Sequence, residues 1–171
     1  SCTRLALPRS VLIVADDITK KIAGLEIEAA LKDAGYNVDM VCIKEADAKT
    51  VTAIQNQAEE MGPAFLAGVG GGRPIDVAKC ASFNARMPFI SVPTAATHDG
   101  IVSSRASIMV NGVKESLEAH TPIAVFADTG IITKSPFRMM AAGCGDIISN
   151  KTAVLDCKLA HKLNNEEYSS Y

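Results

Sequence analysis

Three short stretches of the sequence gather the groups that could do chemistry. The first is AGVGGGRPIDVAK, residues 67–79. Here an apolar run ends in Gly70, Gly71 and Gly72 and passes into a helical pattern with Pro74 in its first turn. A strand that ends in glycines and enters a helix exposes unpaired backbone N–H groups at the positive end of the helix dipole. Glycines also let a pyrophosphate approach the backbone closely. Yet the stretch lacks the last glycine of the G-x-G-x-x-G dinucleotide pattern and the GK[ST] ending of a P-loop. A ligand-free tight turn and a phosphate floor both remain open on these residues alone.

The second stretch is SVPTAATHDG, residues 91–100. Thr94, Thr97, His98 and Asp99 cluster among small residues just after an apolar run. Ligands of open α/β sheets bind outside the carboxyl ends of strands, so this loop is a candidate contact surface. The third is AAGCGDIISN, residues 141–150, where Asp146 is the one carboxylate between Ile131 and Asn150. It reads either as the cap of a helix beginning near Gly145 or as a ligand, since a buried carboxylate needs a partner. A metal would call for histidines beside it. His161 lies too far along if one helix runs through both, about 22 Å at the α-helical rise. His120 has no position that spacing can fix, and His98 alone reads as a solvated loop side chain.

These stretches need elements to hold them. Short apolar runs at 10–16, 37–43, 64–70 and 87–94 predict strands, and helical spacing at 19–35, 50–61 and 74–86 predicts helices. In 19–35 the periodic apolar residues are Ile22, Leu25, Ala29 and Leu31, closed by Gly35. The alternation with short links predicts an open parallel α/β sheet over 10–94. Asn111-Gly112 signals a hairpin, and 121–129 reads as a further strand. Helical character begins after Ser135-Pro136, a candidate N-cap and N1 pair, so a boundary is placed near residue 135. The remainder is too short for a second domain, and the chain reads as part of something longer.

The 171 residues are 48% hydrophobic and 21% charged with a formal net charge of -2, which suits a folded domain. No basic stripe offers a nucleic acid footprint, and no apolar run reaches membrane length. Five scattered cysteines, odd in number, argue against a disulfide framework and suit a reducing cytoplasm.

Together, GVGGGRPIDVAK (68–79), FISVPTAATHDGIVSSRASI (89–108) and the segment 141–171, with TKKIAG (19–24), resemble archaeal sn-glycerol-1-phosphate dehydrogenases. Those enzymes group with glycerol dehydrogenases, iron-type alcohol dehydrogenases and dehydroquinate synthases. The resemblance implies a Rossmann-like domain over residues 1–135, followed at 136–171 by the start of a truncated all-helical metal-binding domain. It implies reduction of dihydroxyacetone phosphate to sn-glycerol 1-phosphate by NAD(P)H, for ether-lipid synthesis. It assigns the dinucleotide to Gly72, Arg73, Pro74, Ile75, Asp76, Thr94, Ala95, Ala96, Thr97 and Ser103. Asp99 becomes a substrate contact, and Asp146 a catalytic, substrate-binding and zinc-binding carboxylate. Two histidines that complete the Zn2+ site in that family fall beyond Tyr171. Thr97 stands where serine is frequent, and Cys157 where tryptophan is usual. A dehydroquinate-synthase-like lyase would favour glutamate at the Asp146 position. A glycerol or alcohol dehydrogenase, or a non-catalytic nucleotide-binding module, is the alternative reading. Asp16, Asp17 and Lys44 near the first two strand ends carry both signs, which leaves NAD against NADP open. The expected partners are a small-molecule substrate and further copies of the chain, with no nucleic acid and no membrane insertion.

Overall fold

The computed structural model describes residue 5, residues 7–62 and residues 64–168; Cys2 and Tyr171 lie outside them. Five strands form one parallel sheet in the order β2-β1-β3-β4-β7. They are β1 (Ser10–Ala15), β2 (Asn37–Cys42), β3 (Ala64–Gly70), β4 (Phe89–Pro93) and β7 (Ala124–Val125). Between them run α1 (Leu25–Asp33), α2 (Ala48–Glu60) and α3 (Gly72–Asn84), as the alternation predicts. Every residue of β3 is buried, as a central strand covered on both faces requires. Side chains alternate between faces. Leu12, Val14 and Leu66 join the core under α2 and α3, while Val11, Ile13 and Phe65 join the core on the α1 side.

Two glycines set how closely α3 sits on β3. A Cβ on Gly68 would come within 2.8 Å of the Ile75 Cα, so any side chain there would lift the helix. Gly70 has φ of +149° and turns against Thr19, whose Oγ1 would lie 2.9 Å from a Cβ.

The predicted helix 19–35 departs from its expected face. It begins with a π-helical turn at Lys20–Gly24. The wider turn rotates the side chains, leaving Ile22 and Leu25 exposed and burying Ala23 instead. The Asn111-Gly112 signal holds: both residues have positive φ, 51° and 81°, and join β5 (Arg105–Val110) to β6 (Val113–Glu118). The strand read over 121–129 shrinks to β7. Pro122 lacks an N–H to donate, and Asp128 caps the short helix α4 (Thr129–Ile132) instead.

The last element, α5 (Phe137–Asn164), has Pro136 rather than Ser135 at its N-cap, with no side-chain cap bond. Ser135 Oγ is instead buried without a partner. Gly143 is the buried residue of this helix, while Ile147, Leu155 and Leu159 are exposed. The described cysteines Cys42, Cys80, Cys144 and Cys157 are free. Among the described residues no helix is long and apolar enough to cross a membrane.

His120 packs edge-on to Phe83 and stacks on Phe89, behind α3. Its Nε2 lies 2.9 Å from Ser82 Oγ. That hydroxyl donates to the Lys79 carbonyl at 2.8 Å, so the imidazole N–H donates to Ser82. Burial, aided by the Lys79 charge, pushes the imidazole below its ordinary 6.5. Above that value His120 is neutral in both folded and unfolded chains. Below it the unfolded chain takes up the proton first, so stability falls as pH drops towards the lowered folded value. The melting temperature of the full-length protein should therefore fall from about pH 7.5 to about pH 5.5, and His120→Gln should flatten that fall. Equal slopes in the two proteins would contradict the assignment.

Candidate functional site

β3 and β4 run in parallel register with Gly70 beside Pro93, so the two loops that follow emerge together at the carboxyl edge. The Thr94 N–H donates to the Gly70 carbonyl at 3.0 Å and ties them. Gly71 is the N-cap of α3, and no side chain caps the first-turn amides. A Cβ on Gly71 would meet nothing within 4 Å. In the loop after β4, Thr97 Oγ1 is buried without a hydrogen-bond partner. An uncapped helix start, open space and an orphaned hydroxyl together fit a phosphate-bearing nucleotide.

The remaining dinucleotide candidates divide by depth. Pro74, Ile75, Thr94 and Ala95 are buried, while Ala96 is exposed. Arg73 is exposed, and its Nη1 donates to the Lys44 carbonyl at 2.9 Å. Its Nη2 stands 3.9 Å from Asp16 Oδ2. Asp16 Oδ1 is already committed, accepting from the amides of Ile18 at 3.0 Å and Thr19 at 2.8 Å. Of the charges noted at the first two strand ends, the Asp16 carboxylate faces Arg73, while Lys44 meets it through its backbone carbonyl. Ser103 is half-buried in the turn after the 3-10 helix Asp99–Ile101, its N–H donating to the Asp99 carbonyl at 3.2 Å.

Asp76 faces inward. It is buried, and its Oδ1 lies 3.7 Å from Lys79 Nζ, which is fully buried. Lys79 also donates to the carbonyls of Gly100 at 2.6 Å and Arg105 at 2.8 Å. Burial pushes the Asp76 carboxyl up against the pull of Lys79, and pushes the Lys79 ammonium down against the pull of Asp76. Sequence reading quoted Lys79 within the glycine stretch but gave it no role. The signal was available: a lysine three residues after an aspartate, on the helix face otherwise occupied by Ile75, Ala78 and Ser82.

His98 is half-buried rather than a free loop side chain, and its Nδ1 accepts from the Gly100 N–H at 2.9 Å. Its Nε2 would come 2.8 Å from a Cβ on Gly72, so the ring wedges between the two loops. Asp99 follows, and its backbone N–H donates to Asp146 Oδ2 at 2.8 Å. Asp146 lies well inside α5, which removes the reading of it as that helix's own cap. It instead satisfies the first amide of the neighbouring 3-10 turn. Gly143 lies one turn earlier, against the Ala96 carbonyl oxygen, and lets α5 approach this closely.

Asp146 offers one carboxylate at this edge, already accepting from the Asp99 amide. Among the described residues no group of three His, Cys, Asp or Glu side chains could hold one. His120 is behind α3, and His161 is far along α5. The described residues do not by themselves make a metal centre.

Two neighbouring glycines of α5 should respond oppositely to alanine. Gly143→Ala forces a methyl onto a backbone oxygen that cannot swing aside, and should cost about 1–3 kcal/mol. Gly145→Ala meets nothing within 4 Å and should stabilise by about 0.5–1 kcal/mol. Urea denaturation of the full-length protein measures both.

Comparison with known proteins follows the same geometry. Residues 1–136 match the iron-containing alcohol dehydrogenase family. A protein of Methanosarcina acetivorans named glycerol-1-phosphate dehydrogenase (NAD(P)+) is 51% identical over 170 residues, covering 99% of this chain and 48% of its own length. The chain spans about half the length of the curated relatives it matches. Among solved structures, glycerol dehydrogenase from Schizosaccharomyces pombe is similar with a TM-score of 0.77 at 27% identity, over 85% of this chain and 38% of that one. A 2-deoxy-scyllo-inosose synthase complexed with carbaglucose-6-phosphate, NAD+ and Co2+ is similar with a TM-score of 0.68 at 25% identity, over 81% and 42% respectively. The open parallel sheet, the glycine turn at its carboxyl edge and the match over most of the sequence agree: the chain belongs to the iron-containing alcohol dehydrogenase family.

Proposed function

We propose that the whole protein reduces dihydroxyacetone phosphate to sn-glycerol 1-phosphate with hydride from NADH or NADPH. The observation that carries this reading is the pairing at one sheet edge of an uncapped glycine turn with a carboxylate held by the Asp99 amide. The 51% identity to a relative named glycerol-1-phosphate dehydrogenase supports the substrate. Gly72 to Asp76 form the floor for the pyrophosphate, with Asp76 acting from beneath by anchoring the helix. Thr94 to Thr97 form the facing wall, where the unpaired Thr97 hydroxyl is a ready donor. Ser103 is a further nucleotide contact. Asp99 orients a substrate hydroxyl, and Asp146 sits against the reacting carbon. The nicotinamide supplies the hydride; the protein holds the reactants in register and keeps water away.

We assign Zn2+ to the whole protein and not to these residues alone, with Asp146 as one donor and two histidines beyond Tyr171 as the others. When bound it supplies Lewis-acid polarisation of the substrate oxygen. We also place residues 1–135 in the nucleotide domain and 136–171 at the start of a helical one; the exposed Ile147, Leu155 and Leu159 support that division. The setting is a cytoplasmic homo-oligomer that supplies ether-lipid synthesis.

The test uses full-length protein with zinc and either nucleotide, following loss of nucleotide absorbance. Dihydroxyacetone phosphate should be consumed, and unphosphorylated dihydroxyacetone should be a far poorer substrate. Asp146→Asn should lower kcat/KM about a hundredfold or more while nucleotide affinity stays within about threefold. Activity confined to glycerol or another plain alcohol would replace this reading with that of a glycerol dehydrogenase. Residues 1–171 alone, with zinc added, should turn nothing over and act only as a nucleotide-binding module.

A further inference from the structure

We infer that Lys79 is a positioning residue that sets the Asp146 carboxylate against the nucleotide floor, although it touches neither. This rests on the reading above. The geometry is a series of contacts across three elements. Lys79 leaves α3, the helix whose first turn is the glycine cradle. Its ammonium donates to the carbonyls of Gly100 and Arg105, the two ends of the loop that carries Ser103. Asp99, next to Gly100, gives its amide to Asp146 on α5. Among the described residues this is the hydrogen bond that joins α5 to the loop.

The chemistry excludes a direct role in the reaction. An ammonium has three donors. Two go to loop carbonyls, and the third direction faces Asp76 Oδ1. The side chain is fully buried, so no ligand reaches it. A lysine here does what an apolar residue could not: it satisfies two inward-facing loop carbonyls from a helix, and so fixes the loop relative to that helix. Asp76 favours the charged ammonium against the burial that disfavours it. His98 reinforces the same spacing from the solvent side, through the Gly100 N–H.

The experiment compares full-length Lys79→Met with the double variant Asp76→Asn/Lys79→Met, which removes the orphaned buried carboxylate as well. Ser82→Ala serves as a control that loosens the same helix face without touching the loop. Readouts are nucleotide Kd, kcat and KM for dihydroxyacetone phosphate, melting temperature, and hydrogen exchange of the Asp99 and Gly100 amides with nucleotide bound. In Lys79→Met, nucleotide Kd should stay within about threefold while KM rises about tenfold or more, and the two amides should exchange faster. The double variant should recover melting temperature but neither KM nor amide protection. Ser82→Ala should lose stability without the KM change. The inference is overturned if KM is unchanged in a folded variant, or if Kd and KM worsen together in step with melting temperature. It is equally overturned if the double variant restores KM. Should the wild-type enzyme ignore dihydroxyacetone phosphate, the substrate reading fails by itself. Amide exchange then decides on Lys79 alone: unchanged protection overturns it.

Discussion

The contact on which the rest depends is backbone against backbone. At Gly68 the helix α3 lies so close to β3 that the Ile75 Cα and the missing Cβ would occupy the same space. This closeness brings the first turn of α3 level with the carboxyl ends of β3 and β4, where Thr94 reaches back to Gly70. The helix amides then face an open edge instead of the sheet. A larger residue at position 68 would raise the helix, and the cradle, the His98 wedge and the Lys79 contacts would all lose their spacing together.

Charge burial is the second constraint. Two ions taken out of water lose several kcal/mol of hydration each, and their attraction repays this only with further hydrogen bonds. Lys79 finds those bonds on the Gly100 and Arg105 carbonyls. Without them the same pair would be a liability. With them, the loop between β4 and β5, whose regular structure is one 3-10 turn, is fixed by a buried side chain. Such a loop can hold irregular backbone near a ligand and stay ordered.

The strands were legible because burial on both faces leaves near-continuous apolar runs, as in VLIVA of β1 and AFLAGVG of β3. The hairpin was legible because Asn-Gly accepts positive φ at both positions. The face of the first helix was not, since Ile22 and Leu25 have the right spacing for an α-helix and the π-turn shifts it. The last strand was overread because 121–129 is apolar enough, while Pro122 and the capping Asp128 use up its length. For the site, spacing could nominate the glycines, Thr97 and Asp146 but not join them. The Asp99–Asp146 bond spans two elements far apart in sequence, and no local pattern encodes it. The spacing of Asp76 and Lys79 is local and legible, but the backbone carbonyls of Gly100 and Arg105 that Lys79 holds carry no residue-type signal.

The sheet order also sets how the chain must assemble. β1 is flanked by β2 and β3, so Ser10 pairs with both Asn37 and Ala64. β4 is reached from Leu66 to Phe89, and β7 from Ile90 to Ala124. No two strands of this sheet are hairpin neighbours; each pairing closes a long connection, through α-helices up to β4 and through the β5–β6 hairpin from β4 to β7. β1 is apolar and central, and its second edge stays unpaired until β3 is made, after β2 and two helices. Folding of this half is governed by loop closure over long separations, which makes it slow for its size and places the exposed VLIVA edge at risk of pairing with other chains meanwhile.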